Sequence, residues 1–272
     1  MQHTFEAIVL GIVQGLTEFL PISSSGHLRI VPAFAGWEDP GAAFTAVVQL
    51  GTMAAVLIYF RKDLWAIARG LLAGLRSPAA RGTTEWRMGW FIILGTIPIG
   101  IIGLALKDTI EDEFRTLELI GIALIVMGAV LAWSERAGRQ ERQIDELTAK
   151  DAAIIGFAQA AALVPGVSRS GATITAGFFL GLDRQAAARY SFLLSIPAVV
   201  LSGLFELRHI SDGNGLGTGN TIIGTILAFI VGYASIAWLL RYITRHSFDL
   251  FVGYRFLLGG AVIALAASGA IS

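Results

Sequence analysis

The run Gln14-Gly15-Leu16-Thr17-Glu18-Phe19-Leu20-Pro21-Ile22-Ser23-Ser24-Ser25-Gly26-His27 breaks what is otherwise an apolar, membrane-like stretch near the N-terminus. A second break lies in the other half of the chain, where Gln159 is followed by Pro165-Gly166-Val167-Ser168-Arg169-Ser170-Gly171-Ala172-Thr173. Ionisable groups at membrane depth are costly to hold there and mark a functional site by default. Two such breaks at corresponding places in a duplicated chain point to one site that both halves build.

Composition sets the class. Of the 272 residues, 55% are hydrophobic and 15% charged, against about 25% charged in a typical soluble domain. The reading is an all-α polytopic membrane protein. Net charge is zero and no basic tail is present, so nothing points to nucleic acid. Cysteine is absent, which excludes disulfides and thiolate metal sites. The start, Met1 to Glu6, lacks the basic region of a signal peptide, and the expectation is that it stays in the mature protein.

Six apolar segments approach the ~20 residues that a helix needs to cross a membrane. They are about Ala42–Phe60, Gly89–Leu106, Leu117–Trp133, Ala186–Phe205, Thr221–Leu240 and Leu250–Ala267. The stretches Phe5–Ala35 and Ala152–Leu182 differ, each being apolar, broken by Pro and a Ser/Gly run, then apolar again. Neither half of either stretch crosses alone, so each predicts a re-entrant helix–loop–helix hairpin. Such a loop survives at depth only where protein or a water-filled cavity satisfies its backbone. Basic residues orient the spans. Arg61, Lys62, Arg69, Arg76, Arg81 and Arg87 mark one side, as do Arg136, Arg139, Arg142 and Lys150, and Arg241 and Arg245. The opposite side carries Asp108, Glu111, Asp112 and Glu113, and a Gly-rich segment nearly free of Lys and Arg, which places both termini outside.

The halves also match. Gly11, Gln14, Ser23, Ser25 and Gly26 fall on Gly156, Gln159, Ser168, Ser170 and Gly171 at a constant offset of 145, and Gly95-Thr96-Ile97 resembles Gly224-Thr225-Ile226. Residues 1–150 and 151–272 therefore read as two repeats of one membrane domain, each a hairpin plus three spans. Three crossings invert the second copy, so the hairpins enter from opposite faces and meet near the midplane.

The residues suit phosphate chemistry. Gln14 and Glu18 share a helix face, where they can hold a divalent cation or position a catalytic group; a Glu satisfied by interhelical hydrogen bonds is the plainer alternative. Ser23, Ser24, Ser25 and Gly26 offer hydroxyls and free amides at a helix start, which favours phosphate, although such runs also make ordinary turns. His27 can serve as base, acid or nucleophile, or can simply pack. Arg169 has the planar fork that suits phosphate, flanked by Ser168, Ser170, Gly171 and Thr173 as further donors; a structural ion pair with Glu18 is its alternative. Gln49 and Ser195 lie within spans and either line the cavity or bond neighbouring helices.

These two motifs resemble those of the bacterial undecaprenyl pyrophosphate phosphatases of the bacitracin-resistance type, and the resemblance runs over essentially the whole chain. It implies hydrolysis of undecaprenyl pyrophosphate to undecaprenyl phosphate and phosphate, recycling the lipid carrier of cell-wall synthesis. It also implies a divalent cation, Mg²⁺ or Ca²⁺, and a multi-pass protein of the cytoplasmic (inner) membrane with its site on the outer, periplasmic side. The family's acidic motif begins with Glu or Gln; here it is Gln14, which leaves Glu18 the only carboxylate of the pair as metal ligands. On this reading Ser24 is the nucleophile, His27 takes its proton, Glu18 orients His27 or holds the metal, and Arg169 stabilises charge on the transferred phosphoryl group. His27 as nucleophile and direct attack by water stay open. The expected partners are the lipid substrate and membrane lipids; a homodimer is left open. Inverted repeats with broken helices are also transporter architecture, so a lipid-phosphate flippase or secondary transporter is the alternative, alone or as a second activity.

Overall fold

The computed structural model describes residues 2–106, 114–206 and 216–271. The acidic stretch 107–113 and the Gly-rich stretch 207–215, on which part of the orientation argument rests, lie outside the described residues. Eleven α-helices make up the described chain. They are α1 (Gln2–Thr17), α2 (Ser24–Ala35), α3 (Gly41–Tyr59), α4 (Arg61–Arg76), α5 (Thr84–Ala105) and α6 (Leu117–Ala137), followed by α7 (Ala149–Ala161), α8 (Arg169–Phe179), α9 (Arg184–Glu206), α10 (Thr218–Tyr242) and α11 (Asp249–Ala267). The described residues contain no strand beyond one isolated bridge between Arg142 and Leu182.

Helices α5, α6, α10 and α11 are each long and apolar enough to cross a membrane. Helices α3 and α4 meet it together as a pair, bent by 74° between Tyr59 and Arg61. Helix α9, expected to span, carries Arg184 and Arg189 near its start and turns Ser191 and Ser195 into the protein. Large apolar side chains such as Leu104 and Leu257 stand on the outside, as a lipid-facing surface requires. Inside, Phe19, Phe60, Phe178, Tyr190, Phe192 and Phe248 fill one continuous core.

Two pairs of short helices stand apart. Helices α1 and α2 are 16 and 12 residues long, α7 and α8 13 and 11, each short of the ~20 residues of a span. Both second helices start the same way. Ser23 and Ser168 adopt φ of 74° and 73°, a left-handed conformation that a non-glycine residue enters at a cost of about 1–3 kcal/mol. Each then caps its helix, with Oγ accepting from the Gly26 amide at 3.3 Å and the Gly171 amide at 3.1 Å.

The short pairs are seated by glycine. Helix α1 packs along α10 and α7 along α5. A Cβ on Gly11 would lie 2.4 Å from the Gly224 carbonyl oxygen, and one on Gly156 would lie 2.5 Å from that of Gly95. Small residues let helix backbones approach this closely where lipid offers no hydrophobic drive between helices. Gly156→Val should therefore force α7 off α5, lowering the thermal midpoint of the detergent-solubilised protein by an amount equivalent to about 1–3 kcal/mol; thermal-shift unfolding measures it.

Candidate functional site

The loops that close the two short pairs, residues 18–23 and 162–168, meet inside the protein. Ser23 Oγ accepts from the Gly166 amide at 3.0 Å, and Ser170 Oγ donates to the Leu20 carbonyl at 3.1 Å. The main tie comes from α11. Arg255 is fully buried, and its guanidinium donates to five carbonyls: Pro21 at 2.8 Å, Gly166 at 2.8 Å, Val167 at 3.1 Å, Leu124 at 3.0 Å and Ala123 at 3.3 Å. Among the described residues it has no carboxylate partner. Three of these acceptors, Pro21, Gly166 and Val167, are loop carbonyls freed where the helices break, and Leu124 and Ala123 belong to α6, so the guanidinium supplies the partners that irregular backbone needs when it is buried.

Glu18 is the centre of the polar cluster. One carboxylate oxygen accepts from Gln14 Nε2 at 2.8 Å and from Ser24 Oγ at 2.6 Å. The other accepts from Gln49 Nε2 at 3.0 Å and from the Arg169 guanidinium. Arg169 also donates to the Ser195 carbonyl at 3.2 Å. Four donors converge on one buried carboxylate, and the ion pair with Arg169 ties the two broken segments together. Ser24 and Arg169 remain partly open and Ser25 is exposed, so an anion can reach a hydroxyl and a guanidinium at once.

The other sequence candidates are placed differently. Ser23, Ser168, Ser170 and Thr173 are buried, and their hydroxyls are spent within the protein. Thr173 Oγ1 donates to the Arg169 carbonyl at 2.8 Å and meets Ser191 Oγ at 2.6 Å, while Ser168 and Ser170 face each other at 3.1 Å. Gly26 and Gly171 pack against Ile120 and Arg255, so they serve close approach. His27 is buried and bonded neither to Ser24 nor to Glu18. Its Nδ1 lies 2.7 Å from the Ser23 carbonyl and its Nε2 lies 2.6 Å from the Tyr254 hydroxyl. The Ser24 proton is therefore held by Glu18, where the sequence reading gave it to His27.

Sequence reasoning missed Arg255 and Tyr254, although an Arg in the middle of the last apolar span was a visible signal. Gln49 resolves to a bond with Glu18 at the cluster, whereas Ser195 offers Arg169 its backbone carbonyl and donates its hydroxyl to the Phe192 carbonyl of its own helix. Among the described residues no three His, Asp or Glu side chains gather as a metal site would need. Buried Gln14 Oε1 has no partner. With one carboxylate already engaged by four donors, this set fits a cation shared with a polyanion and not one held by protein alone.

A polytopic helical membrane protein with an Arg–Glu–Ser cluster where two broken helices meet is the class that this geometry defines. The chain belongs to the bacitracin resistance protein BacA family, whose model matches residues 7–261. It is 57% identical to an undecaprenyl-diphosphatase of Nocardioides sp. over the full length of both proteins. It is 54% identical to an undecaprenyl-diphosphatase of Chlorobaculum parvum over 98% of each chain. With one of Thermobifida fusca it shares 53% identity over 98% of this chain and 91% of that one.

Arg255→Met would strand the loop carbonyls that the guanidinium now satisfies, and each buried unpaired group costs about 1–3 kcal/mol. The expected outcome is a loss of folded, monodisperse protein on size-exclusion chromatography, with Arg255→Lys only partly restoring it.

Proposed function

We propose that this protein is an undecaprenyl-diphosphatase, hydrolysing undecaprenyl diphosphate to undecaprenyl phosphate and inorganic phosphate and so returning the lipid carrier to cell-wall synthesis. The observation that carries the reading is the contact of Ser24 Oγ with a carboxylate that also pairs with Arg169, in a chain 53–57% identical to proteins of that name. We further propose that residues 1–150 and 151–272 are inverted copies, with six spans and two re-entrant hairpins. The reciprocal seating of Gly11 on Gly224 and Gly156 on Gly95 supports this, as do the matching caps at Ser23 and Ser168. In this arrangement the site opens to the outer face of the cytoplasmic membrane, with the prenyl tail along the apolar flanks of the hairpins.

The chemistry follows from exchange of partners. A diphosphate reaching Arg169 competes with Glu18 for the guanidinium, whose fork binds phosphate oxygens in pairs. Glu18, released from that ion pair and already bonded to Ser24 Oγ, takes its proton. The hydroxyl oxygen then attacks the terminal phosphorus, and the bond to the bridging oxygen breaks. Undecaprenyl phosphate leaves with the electron pair while Arg169 stabilises the charge. Water attacks the resulting phosphoserine to give phosphate, and the Glu18 proton returns to Ser24. Ser25 and the amides at the start of α2 offer further donors to the anion. A divalent cation arriving with the diphosphate would be held by Gln14 Oε1 and Glu18, and its charge would neutralise the leaving phosphate.

Protein purified in detergent is expected to release phosphate from undecaprenyl diphosphate. Ser24→Ala and Arg169→Ala should each lower kcat by about 10²–10³-fold. Transport of lipid without phosphate release would favour a carrier instead. Rapid acid quenching should trap a phosphoenzyme that survives acid, as phosphoserine does; an acid-labile one would move the nucleophile to His27. Chelation of divalent cations should abolish release, and added Mg²⁺ or Ca²⁺ should restore it.

A further inference from the structure

The hydrogen bonds of His27 fix its tautomer. A backbone carbonyl only accepts, so the 2.7 Å contact with the Ser23 carbonyl places a proton on Nδ1. Nε2 of the neutral ring is then a bare lone pair, and the Tyr254 hydroxyl at 2.6 Å is its donor. The two rings also stack, 8° from parallel with centroids 5.6 Å apart. Tyr254 precedes Arg255, whose bond to the Pro21 carbonyl anchors the loop two residues before Ser23. One dipeptide of α11 therefore holds both the loop that carries Ser24 and the ring one turn beyond it.

On these contacts, and resting on the phosphatase reading above, we infer that Tyr254 is a positioning residue for that reaction, holding His27 in one tautomer and so fixing the Ser23 carbonyl and the α2 start that present Ser24. Loss of the hydroxyl leaves Nε2 without its donor and frees the imidazole to turn, which loosens the first turn of α2. Because Tyr254 touches His27 and not the Glu18–Arg169 pair, its loss acts on turnover and not on anion affinity.

Phosphate release by Tyr254→Phe, steady-state in detergent, is the test, together with ¹⁵N NMR of the His27 imidazole in folded protein of both kinds. The expected result is a kcat lowered by about tenfold with KM nearly unchanged, and His27 passing from a single Nδ1–H form to a mixture. Wild-type kcat in the variant overturns the inference, and so does an unchanged Nδ1–H signal whatever the rate. A wild-type protein that releases no phosphate overturns the phosphatase reading instead.

An independent observation concerns α4, a 16-residue helix set at 74° to α3. Its inner face is fixed: Gly70 and Gly74 leave no room for a Cβ against Glu85 and Trp86 of α5. Its outer face exposes Trp65, Leu72 and Leu75, at 63%, 55% and 67%, on one stripe at helical spacing. Lys62, Arg69 and Arg76 are exposed beside that stripe, and the helix's only carboxylate, Asp63, is taken by Arg189. An apolar stripe with a purely cationic border is the pattern of a helix lying in a membrane interface beside anionic headgroups.

From this second observation, we propose that α4 binds anionic phospholipid at the membrane surface. Thermal unfolding in nanodiscs of phosphatidylglycerol or of phosphatidylcholine tests it, with wild type and the Lys62→Gln/Arg69→Gln/Arg76→Gln variant. Phosphatidylglycerol should raise the wild-type midpoint above that in phosphatidylcholine, and the variant should lose that increment while keeping phosphate release in phosphatidylcholine. Equal midpoints in the two lipids, an increment retained by the variant, or an increment that tracks dimer formation each overturns it.

Discussion

A buried guanidinium with no carboxylate partner among the described residues is the constraint around which this molecule is arranged. Arg255 finds its partners where two interrupted helices expose carbonyls beside two carbonyls of α6. The interruptions are tolerable for the same reason, since their backbone groups have a partner that lipid cannot supply. Neither the loops nor the arginine is stable there without the other. Pro21 and Gly166, from distant parts of the chain, thereby become neighbours whose separation is set to within a hydrogen bond.

With the loops fixed, the second buried charge can be chemical. Glu18 and Arg169 pair across the same junction. Ser24 sits on the carboxylate side of that pair and is partly open. Ser25 beside it is exposed, whereas Ser23, Ser168 and Ser170 are buried and hold the loops in shape. Hydroxyls that look alike in sequence thus divide into open ones at Ser24 and Ser25 and buried ones that support the loops.

Much of this was readable from residues alone. The polar breaks around Glu18 and Arg169 stood out against apolar surroundings, and their Ser/Gly runs fell where the helices stop. The hydrogen-bond partner of Ser24 was not legible, because the Ser24 hydroxyl bonds Glu18 and not His27. Sequence proximity puts His27 one turn from Ser24, but the imidazole turns back to the Ser23 carbonyl and outward to Tyr254.

The sequence by itself determined that the chain is helical and lives in a membrane, that it breaks at two matched places, and that those breaks carry an acid, an arginine and hydroxyls. Hydropathy and helix-breaking residues act locally, so these features survive in one dimension. Only the tertiary structure decided that Ser24 and Ser25 are open while Ser23 is buried, that Gln49 and Gln14 share the carboxylate with Arg169, and that Tyr254 bonds His27 while Arg255 bonds the loop carbonyls. Those assignments depend on which buried donor finds which acceptor, and hydrogen bonds between residues more than 200 positions apart leave no trace in local pattern.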